Sequence, residues 1–210
     1  MKILYTGFAP FGGESVNPSF ESLRLLPDSI AGADVLRLEL PTSFDSAGKL
    51  LVEGIARERP DIVICVGQAG GRAAVTPEFV AINYRSARIP DNDGFQPTDE
   101  PVCGGGPVGY FTKLPVRRIA ERCRENGIPA SVSYTAGTYV CNNLMYTLLH
   151  AIETQFPVVT GGFIHVPYSA EQAAPKTPQP PSMDLGMIAA ALRIAGEETL
   201  SVMRENAHPF

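Results

Sequence analysis

The sequence predicts an α/β fold, a single three-layer α/β/α sandwich with a mostly parallel central sheet. Short apolar runs rich in strand-forming residues alternate with amphipathic runs of helical length along the whole chain. The run DIVICVG (61–67) is continuously apolar and ends in glycine, which is typical of a strand covered by helices on both faces. No internal repeat or linker divides the chain, so we expect one domain over residues 1–210.

Strands are predicted wherever short runs rich in β-branched, aromatic and other apolar residues occur. These runs are KILYT (2–6), DVLRLEL (34–40), DIVICVG (61–67), EFVAINY (78–84), ASVSY (130–134) and PVVTGGFIHVPY (157–168). In a parallel sheet of this kind, sites form in the loops beyond the carboxyl ends of the strands. The segments to inspect for a site are therefore TGFAPFGG, VGQAGGR, SYTAGTYVC and FIHVPY.

Helices are predicted over 18–26, 43–59, 114–127, 139–153 and 183–206. Proline stands at or near the start of the first and third helices, Ser43 is a candidate N-cap of the second, and Gly127 ends the third. The stretch 86–110 is rich in Gly, Pro and Asp and has no clear period, so it is predicted to be irregular.

Composition excludes several classes of function. The 210 residues are 44% hydrophobic and carry a net charge of −5, which argues against a nucleic-acid surface. No basic run would hold an anionic membrane, and no segment is long and apolar enough to span a bilayer. The N-terminal apolar stretch breaks at Gly7 and is too short for a signal peptide. We expect a cytoplasmic protein.

No cofactor site is indicated. None of the four cysteines lies in a C-x-x-C pair, so neither a zinc site nor a thioredoxin-like motif is predicted, and four free thiols are expected. Gly104, Gly106 and Gly109 fit the pattern G-x-G-x-x-G, but they do not join a strand to a helix and Pro107 interrupts them. A dinucleotide site is therefore not expected.

Cys141, in TAGTYVCNNLMY (135–146), follows a strand and a glycine-containing turn at a helix start. There the helix dipole stabilises a thiolate and lowers its pKa, and free N–H groups can bind an oxyanion. On position alone, catalysis and packing weigh equally. Packing is favoured for Cys65 within a strand and for Cys123 on an amphipathic helix, and Cys103 in the irregular stretch stays open.

A nucleophilic thiolate needs a base, and the chain has three histidines. His165 ends the strand GGFIHVPY at the edge where a site is expected, so it is the candidate base. His150 lies nine residues after Cys141 on the same helix and cannot fold back to the helix start, so a surface or packing role is expected. His208 lies in the C-terminal tail and is expected to be solvated.

A carboxylate should orient the imidazole. Glu78 begins an apolar strand and is weakly preferred over Asp91, Asp93 and Asp99, which stand in a polar loop. A further feature is the loop TGFAPFGGESVNPS (6–19), in which two phenylalanines flank a proline just after a strand. They can seal the core or form the flat apolar walls of a small pocket.

Five segments, taken in order, resemble pyroglutamyl peptidase type I, also called pyrrolidone carboxyl peptidase. They are TGFAPFGGESVNPS, GQAGGRAAVTPEFVAIN, ARIPDNDGFQPTDEPV, TAGTYVCNNLMY and GGFIHVPY, which span most of the chain from residue 6 to 168. The resemblance implies a cysteine peptidase that removes an N-terminal pyroglutamate (5-oxoproline) from peptides, through an acyl-thioester and without metal or organic cofactor. It also implies a homotetramer.

The same resemblance assigns roles to particular residues. It implies Cys141 as nucleophile, His165 as general base and Glu78 as the orienting carboxylate. It implies substrate contacts for Phe8, Phe11 and Asn17, while Gln68 and Arg88 match positions near the family's site. The chain departs from the family at Ala9, where the first loop usually carries an acidic residue.

Two other functions are compatible with parts of the sequence. A nucleoside phosphorylase would share an α/β architecture, and VGQAGGR could bind an anion; phosphate-dependent activity insensitive to iodoacetamide would distinguish it. The other is a catalytically inactive module that binds pyroglutamyl peptides without turnover, in which Ala9 would be the first residue to depart from the family's pattern. The intact Cys, His and Glu set argues against it.

Overall fold

The computed structural model describes residues 1–207, so His208 lies outside the described residues. The strands β1 to β10 are Lys2–Phe8, Ser29–Ile30, Ala33–Leu40, Ile62–Gln68, Thr76–Pro77, Val80–Ile82, Gly109–Phe111, Thr160–Val166, Tyr168–Ser169 and Ser182–Met183. The helices α1 to α6 are Pro18–Glu21, Phe44–Glu58, Val116–Glu125, Val140–Thr154, Ala170–Ala173 and Leu185–Ala207. A 3-10 turn, Ser22–Leu25, continues α1.

The main sheet has the strand order β2-β3-β1-β4-β8-β5. Its four central strands, β3, β1, β4 and β8, run parallel, and the short edge strands β2 and β5 run antiparallel to their neighbours. The predicted α/β fold with a mostly parallel sheet is therefore confirmed. Because the central strands are parallel, their carboxyl ends meet at one edge of the sheet.

Helices cover both faces of this sheet, and the strands divide their side chains between the two. On β4, Ile62, Ile64 and Val66 pack into one buried cluster with α3, α6 and the turn after α1. Val63 and Cys65 pack into the other cluster, with α2 and α4. Successive side chains of a strand point to opposite faces, so a strand buried on both sides has to be continuously apolar.

Helix α2 starts as its sequence predicts. The Ser43 side chain accepts a hydrogen bond from the Ser46 N–H and caps the helix. The first helix is shorter than predicted: α1 ends at Glu21 and continues only as a 3-10 turn to Leu25. Pro27 lies just beyond, and a proline disfavours helical backbone in the residue before it.

Two predicted strands are largely wrong. Residues 130–134 form isolated bridges, Val75 with Ala130 and Glu78 with Ser133, instead of a strand. Residues 78–84 are extended in a ladder only over Val80–Ile82, which pairs with β7 outside the main sheet. The two segments do lie side by side, but Pro77 has no N–H to continue a ladder between them.

Within residues 1–207, none of the helices combines the length and the apolar character that a membrane crossing requires.

Candidate active site

The carboxyl-end edge of the sheet gathers most of the residues that the sequence pointed to. Phe8 ends β1, Gln68 ends β4, and His165 is the last residue but one of β8. In the β4–β8 register, Gly67 lies opposite His165 and Gln68 opposite Val166. The parallel pairing thus brings the first loop, Gln68 and His165 to one place.

The His165 imidazole is bound to a buried carboxylate. Its Nδ1 lies 2.7 Å from Glu78 Oε1, and both side chains are buried, 4% and 0% exposed. Backbone pairing fixes this contact, because β5 runs antiparallel to β8 and the Glu78 N–H donates to the Phe163 carbonyl at 2.9 Å. Of the three competing acids, Asp91 has a different partner: its carboxylate accepts a hydrogen bond from the Phe44 N–H at 2.8 Å and so caps the start of α2.

Arg72 completes the charge balance around Glu78. Its Nη1 donates to Glu78 Oε1 at 2.7 Å, and its Nη2 donates to the Thr135 carbonyl at 3.1 Å. A carboxylate without solvent is costly to bury unless it is paired and hydrogen-bonded. Sequence reasoning missed Arg72; the available signal was a cation six residues before Glu78 within GQAGGRAAVTPEF.

Cys141 is the second residue of α4. The N-cap, Tyr139, provides no side-chain cap, and the first backbone bond of the helix runs from the Asn143 N–H to the Tyr139 carbonyl at 3.2 Å. The N–H groups of residues 140–142 therefore precede the helical ladder, have no backbone partner among residues 1–207, and can hold an oxyanion.

The thiol of Cys141 packs on the β4 backbone opposite His165. A Cβ built on Gly67 would lie 2.9 Å from Cys141 Sγ and 2.7 Å from Phe163 Cζ. Gly67 is also the cross-strand partner of His165. The absence of a side chain at Gly67 is thus what lets the sulfur approach the strand pair that carries the imidazole.

Burial sets the protonation states of the thiol and the imidazole. Burial, with the Glu78 charge adding to it and Arg72 opposing it, raises the pKa of Cys141 to about 12. Burial also lowers the pKa of His165, against the opposing effect of Glu78. The low thiol pKa that the helix start suggested is therefore not observed, and the pair rests as neutral thiol and neutral imidazole at neutral pH.

Glu78 stays ionised despite its position. Burial alone would raise its pKa, but the hydrogen bonds from His165 and Arg72 outweigh burial and lower the pKa below its usual value. An ionised carboxylate at Nδ1 leaves Nε2 of His165 as the nitrogen that can accept a proton.

A small cavity of about 50 Å³ opens beside the thiol. Its lining consists of residues from the first loop, the ends of β3 and β4 and the start of α4: Phe8, Phe11, Asn17, Thr42, Gln68, Tyr139, Val140 and Cys141. Four of the five predicted substrate contacts are among them. The fifth, Arg88, instead lines an adjoining cavity of about 430 Å³, which shares Phe11 and Tyr139 with the first.

The first loop is held in place by bonds to the backbone of Ala9. The Ala9 N–H donates to the Leu40 carbonyl at 2.8 Å, and the Ala9 carbonyl accepts from Asn17 Nδ2 at 3.2 Å and from Thr42 Oγ1 at 3.0 Å. Asn17 also caps α1, since its Oδ1 accepts from the Ser19 N–H at 3.1 Å. These bonds need no acidic side chain at position 9.

A thiol at a helix start, packed against the strands that carry an imidazole bound to a buried carboxylate, is the arrangement of a cysteine hydrolase. The pyroglutamyl peptidase family model matches residues 1–202. The pyrrolidone-carboxylate peptidase of Enterococcus faecalis is 52% identical over 192 residues, covering 91% of this chain and 90% of the relative. That of Thermococcus kodakarensis is 52% identical over 195 residues, covering 93% and 94%.

Solved structures agree with the sequence relatives. The crystal structure of pyroglutamyl peptidase I from Bacillus amyloliquefaciens matches with a TM-score of 0.91 and 50% identity, covering 94% of both chains. A mutant pyrrolidone carboxyl peptidase from Pyrococcus furiosus matches with a TM-score of 0.93 and 42% identity, covering 97% of this chain and 100% of the other. The chain belongs to the pyroglutamyl peptidase family. It is a cysteine peptidase that removes an N-terminal pyroglutamate from peptides.

Proposed function

We propose that Cys141 is the nucleophile of this reaction, His165 its general base and Glu78 the carboxylate that orients the base. The observation that carries the proposal is the 2.7 Å bond between His165 Nδ1 and Glu78 Oε1, with Cys141 Sγ packed against the cross-strand partner of His165. A base that is oriented by a third group and carried by the strands against which the thiol packs can activate that thiol, because catalytic hydrogen bonds tighten when substrate binds.

In the acylation step, the high pKa of Cys141 means that the thiol must give up its proton as it attacks. His165 Nε2 takes this proton while Sγ adds to the pyroglutamyl carbonyl carbon, and Glu78 stabilises the imidazolium that forms. The oxyanion receives hydrogen bonds from N–H groups at the start of α4. The C–N bond then breaks, and the imidazolium protonates the departing amine.

In the deacylation step, His165 takes a proton from water, which adds to the thioester carbonyl. The C–S bond breaks, pyroglutamate leaves, and the proton returns to Cys141. Every proton and electron pair is accounted for by these groups and water, so the reaction requires no metal or organic cofactor.

The cavity beside Cys141 suits a pyroglutamyl ring. Phe8 and Phe11 provide apolar walls, and Asn17 and Gln68 provide polar atoms for a lactam. A peptide with a free N-terminus would have to bury an ammonium here without a carboxylate partner, which costs several kcal/mol. Selection for pyroglutamate thus follows from desolvation as well as from hydrogen bonding.

Arg88 has a different place in the proposal. It makes neither a hydrogen bond nor an ion pair with any residue of the described range 1–207, and it lines the larger cavity beyond Phe11 and Tyr139. We assign its substrate contact to the part of the peptide that follows the pyroglutamyl ring, not to the oxyanion.

Several broader properties belong to the same proposal. We propose that residues 1–210 form one domain, that the enzyme acts in the cytoplasm as a homotetramer, and that it binds neither nucleic acid nor membrane. The net charge of −5 and the family membership support these statements. Light scattering after size-exclusion chromatography tests the tetramer: a mass near that of one chain contradicts it.

The experiment that tests the proposed function is fluorophore release from L-pyroglutamyl-aminomethylcoumarin, with the prolyl analogue as control. Wild type and Cys141→Ser are assayed side by side with reductant. We expect the wild type to release fluorophore from the pyroglutamyl compound alone, and the variant to release none. Full activity in the variant would contradict the assignment of Cys141, and equal turnover of both compounds would contradict the assignment of the cavity.

A further inference from the structure

The segment that follows β8 lies against both the first loop and the end of β4. It contains β9 and α5, and its contact with the site is made by Gln172, which is 4% exposed. Ser169 and Gln172 form a capping box at the start of α5, with the Ser169 hydroxyl accepting from the Gln172 N–H at 3.2 Å. Both the backbone and the side chain of Gln172 are therefore bonded to Ser169 in the first turn of α5.

The chemistry of its neighbours fixes which way the Gln172 amide points. The Ser169 N–H can only donate, so the atom 3.3 Å from it must be Oε1. The Val16 carbonyl can only accept, so the atom 3.0 Å from it must be Nε2. The same Nε2 lies 3.0 Å from one side-chain atom of Gln68, and this atom must be the oxygen, because Nε2 has a second hydrogen to donate.

This orientation passes on to Gln68. Since Gln68 Oε1 accepts from Gln172, the Nε2 amide group of Gln68 is the end left for the cavity, and it has no partner within residues 1–207. We propose that Gln172 is a positioning residue that holds the Gln68 amide with its N–H donors towards the cavity, where they donate to the ring carbonyl of pyroglutamate. This inference rests on the proposed function of the cavity.

The consequence is a chemical basis for choosing pyroglutamate over proline. The two rings differ at the carbon that carries the lactam oxygen, so only pyroglutamate offers an acceptor to the Gln68 donor. A reversed Gln68 amide would face that oxygen with another oxygen and lose both the bond and the selection. Sites built around a hydrogen bond reject ligands that lack the matching group far more strongly than apolar pockets do.

The test replaces Gln172 with glutamate and with methionine. Gln172→Glu keeps the acceptor for the Ser169 N–H but removes the donor to Gln68, so the Gln68 amide is expected to reverse. We expect kcat/KM for the pyroglutamyl compound to fall about tenfold to a hundredfold, mainly through a higher KM. Gln172→Met, which neither fixes nor reverses the amide, should lose less.

A pH signature separates positioning from a general loss of structure. The introduced carboxyl would be buried beside the Val16 carbonyl oxygen, so its pKa should be raised, and its protonated form can donate to Gln68 Oε1 and restore the original amide orientation. Activity of Gln172→Glu relative to wild type should therefore rise as the pH falls. The same ratio for Gln172→Met should stay flat.

Two further variants keep the test decisive. Ser169→Ala removes the hydroxyl of the capping box but leaves the backbone N–H that orients Gln172, so its kcat/KM should match wild type even if its Tm falls. Gln68→Glu, at a half-buried position, keeps the acceptor for Gln172 but offers the cavity no donor, so it should show the same loss as Gln172→Glu even where that variant folds poorly.

The inference is overturned if Gln172→Glu and Gln68→Glu keep wild-type kcat/KM, or if Ser169→Ala loses as much as they do. A flat pH ratio for Gln172→Glu would also overturn it. Failure of the proposed function itself looks different, because wild type would then turn over no pyroglutamyl compound in the same assay.

Discussion

Within residues 1–207, two cysteines lie near a histidine, and the surroundings of these two cysteine–histidine pairs differ. In the pair at the sheet edge, His165 is bound to the buried, ionised Glu78, and Cys141 stands at a helix start with free N–H groups. In the second pair, Cys103 Sγ lies 3.8 Å from Nε2 of His150, near the end of α4.

The second pair lacks two features that catalysis needs. The Nδ1 of His150 lies 2.8 Å from the Tyr110 hydroxyl, a neutral phenol whose pKa is raised by burial and by the nearby Glu153. A neutral phenol does not stabilise an imidazolium as a carboxylate does. Cys103 also stands in an irregular segment, away from any helix start. Proximity of a thiol and an imidazole is thus insufficient without the third group and the oxyanion donors.

Changing the partner of each histidine should sharpen this comparison most. Glu78→Gln keeps a hydrogen-bonding group at Nδ1 but removes the charge that stabilises the imidazolium, so kcat should fall by about a hundredfold to ten-thousandfold. Tyr110→Phe makes the matching change at His150 and should leave kcat unchanged. Steady-state kinetics on both variants checks this, and a similar loss in the two would erase the distinction.

A methyl group beside each cysteine gives the next largest contrast. In Gly67→Ala, the new Cβ would meet Phe163 Cζ at 2.7 Å and Cys141 Sγ at 2.9 Å, so the thiol must shift. Displacing a nucleophile by about 1 Å costs about a hundredfold in rate. In Gly104→Ala, next to Cys103, the new Cβ would meet no atom within 4 Å, so kcat/KM should stay at the wild-type value. Full kcat/KM in Gly67→Ala would show that the sulfur does not react from this position.

The pH profile tests the neutral resting state of the first pair. The active base is neutral His165, so kcat/KM should rise with pH, and its acid limb should lie below the ordinary histidine value of 6.5 because burial lowers the pKa. Arg72 contributes to that lowering, so Arg72→Met should move the limb to higher pH. Arg118→Met, on the surface, is the control and should leave the limb in place. An acid limb above pH 6.5 in the wild type would contradict the neutral resting state of Cys141 and His165.

The smallest effect is expected at the departure from the family in the first loop. Ala9→Asp restores an acidic side chain, but the backbone of Ala9 is already bound to Leu40, Asn17 and Thr42. We expect kcat/KM to change by less than about threefold, as for most substitutions outside a buried network. A gain far above this, measured with the pyroglutamyl compound, would show that the acid contacts substrate.

The sequence predicted the parallel core of the sheet, and the edge at which the candidate site lies, for a physical reason. Buried parallel strands have to be apolar and end at one edge, which placed Phe8, Gln68 and His165 correctly. The residues it missed make contacts that no periodic pattern announces. Arg72 pairs with Glu78 six positions later through an irregular turn, and Gln172 reaches Gln68 across 104 positions. Burial likewise raises the pKa of Cys141, although its place at a helix start suggested the opposite.

The central claim is that the thiol of the first pair, and not that of the second, carries the acyl group. The most direct measurement is an acid quench of the enzyme during turnover of a pyroglutamyl ester, followed by peptide mass mapping. We predict a pyroglutamyl adduct on the peptide that contains Cys141, absent in Glu78→Gln, and none on the peptide that contains Cys103. An adduct on Cys103, or turnover with Cys141 alkylated, would contradict the account.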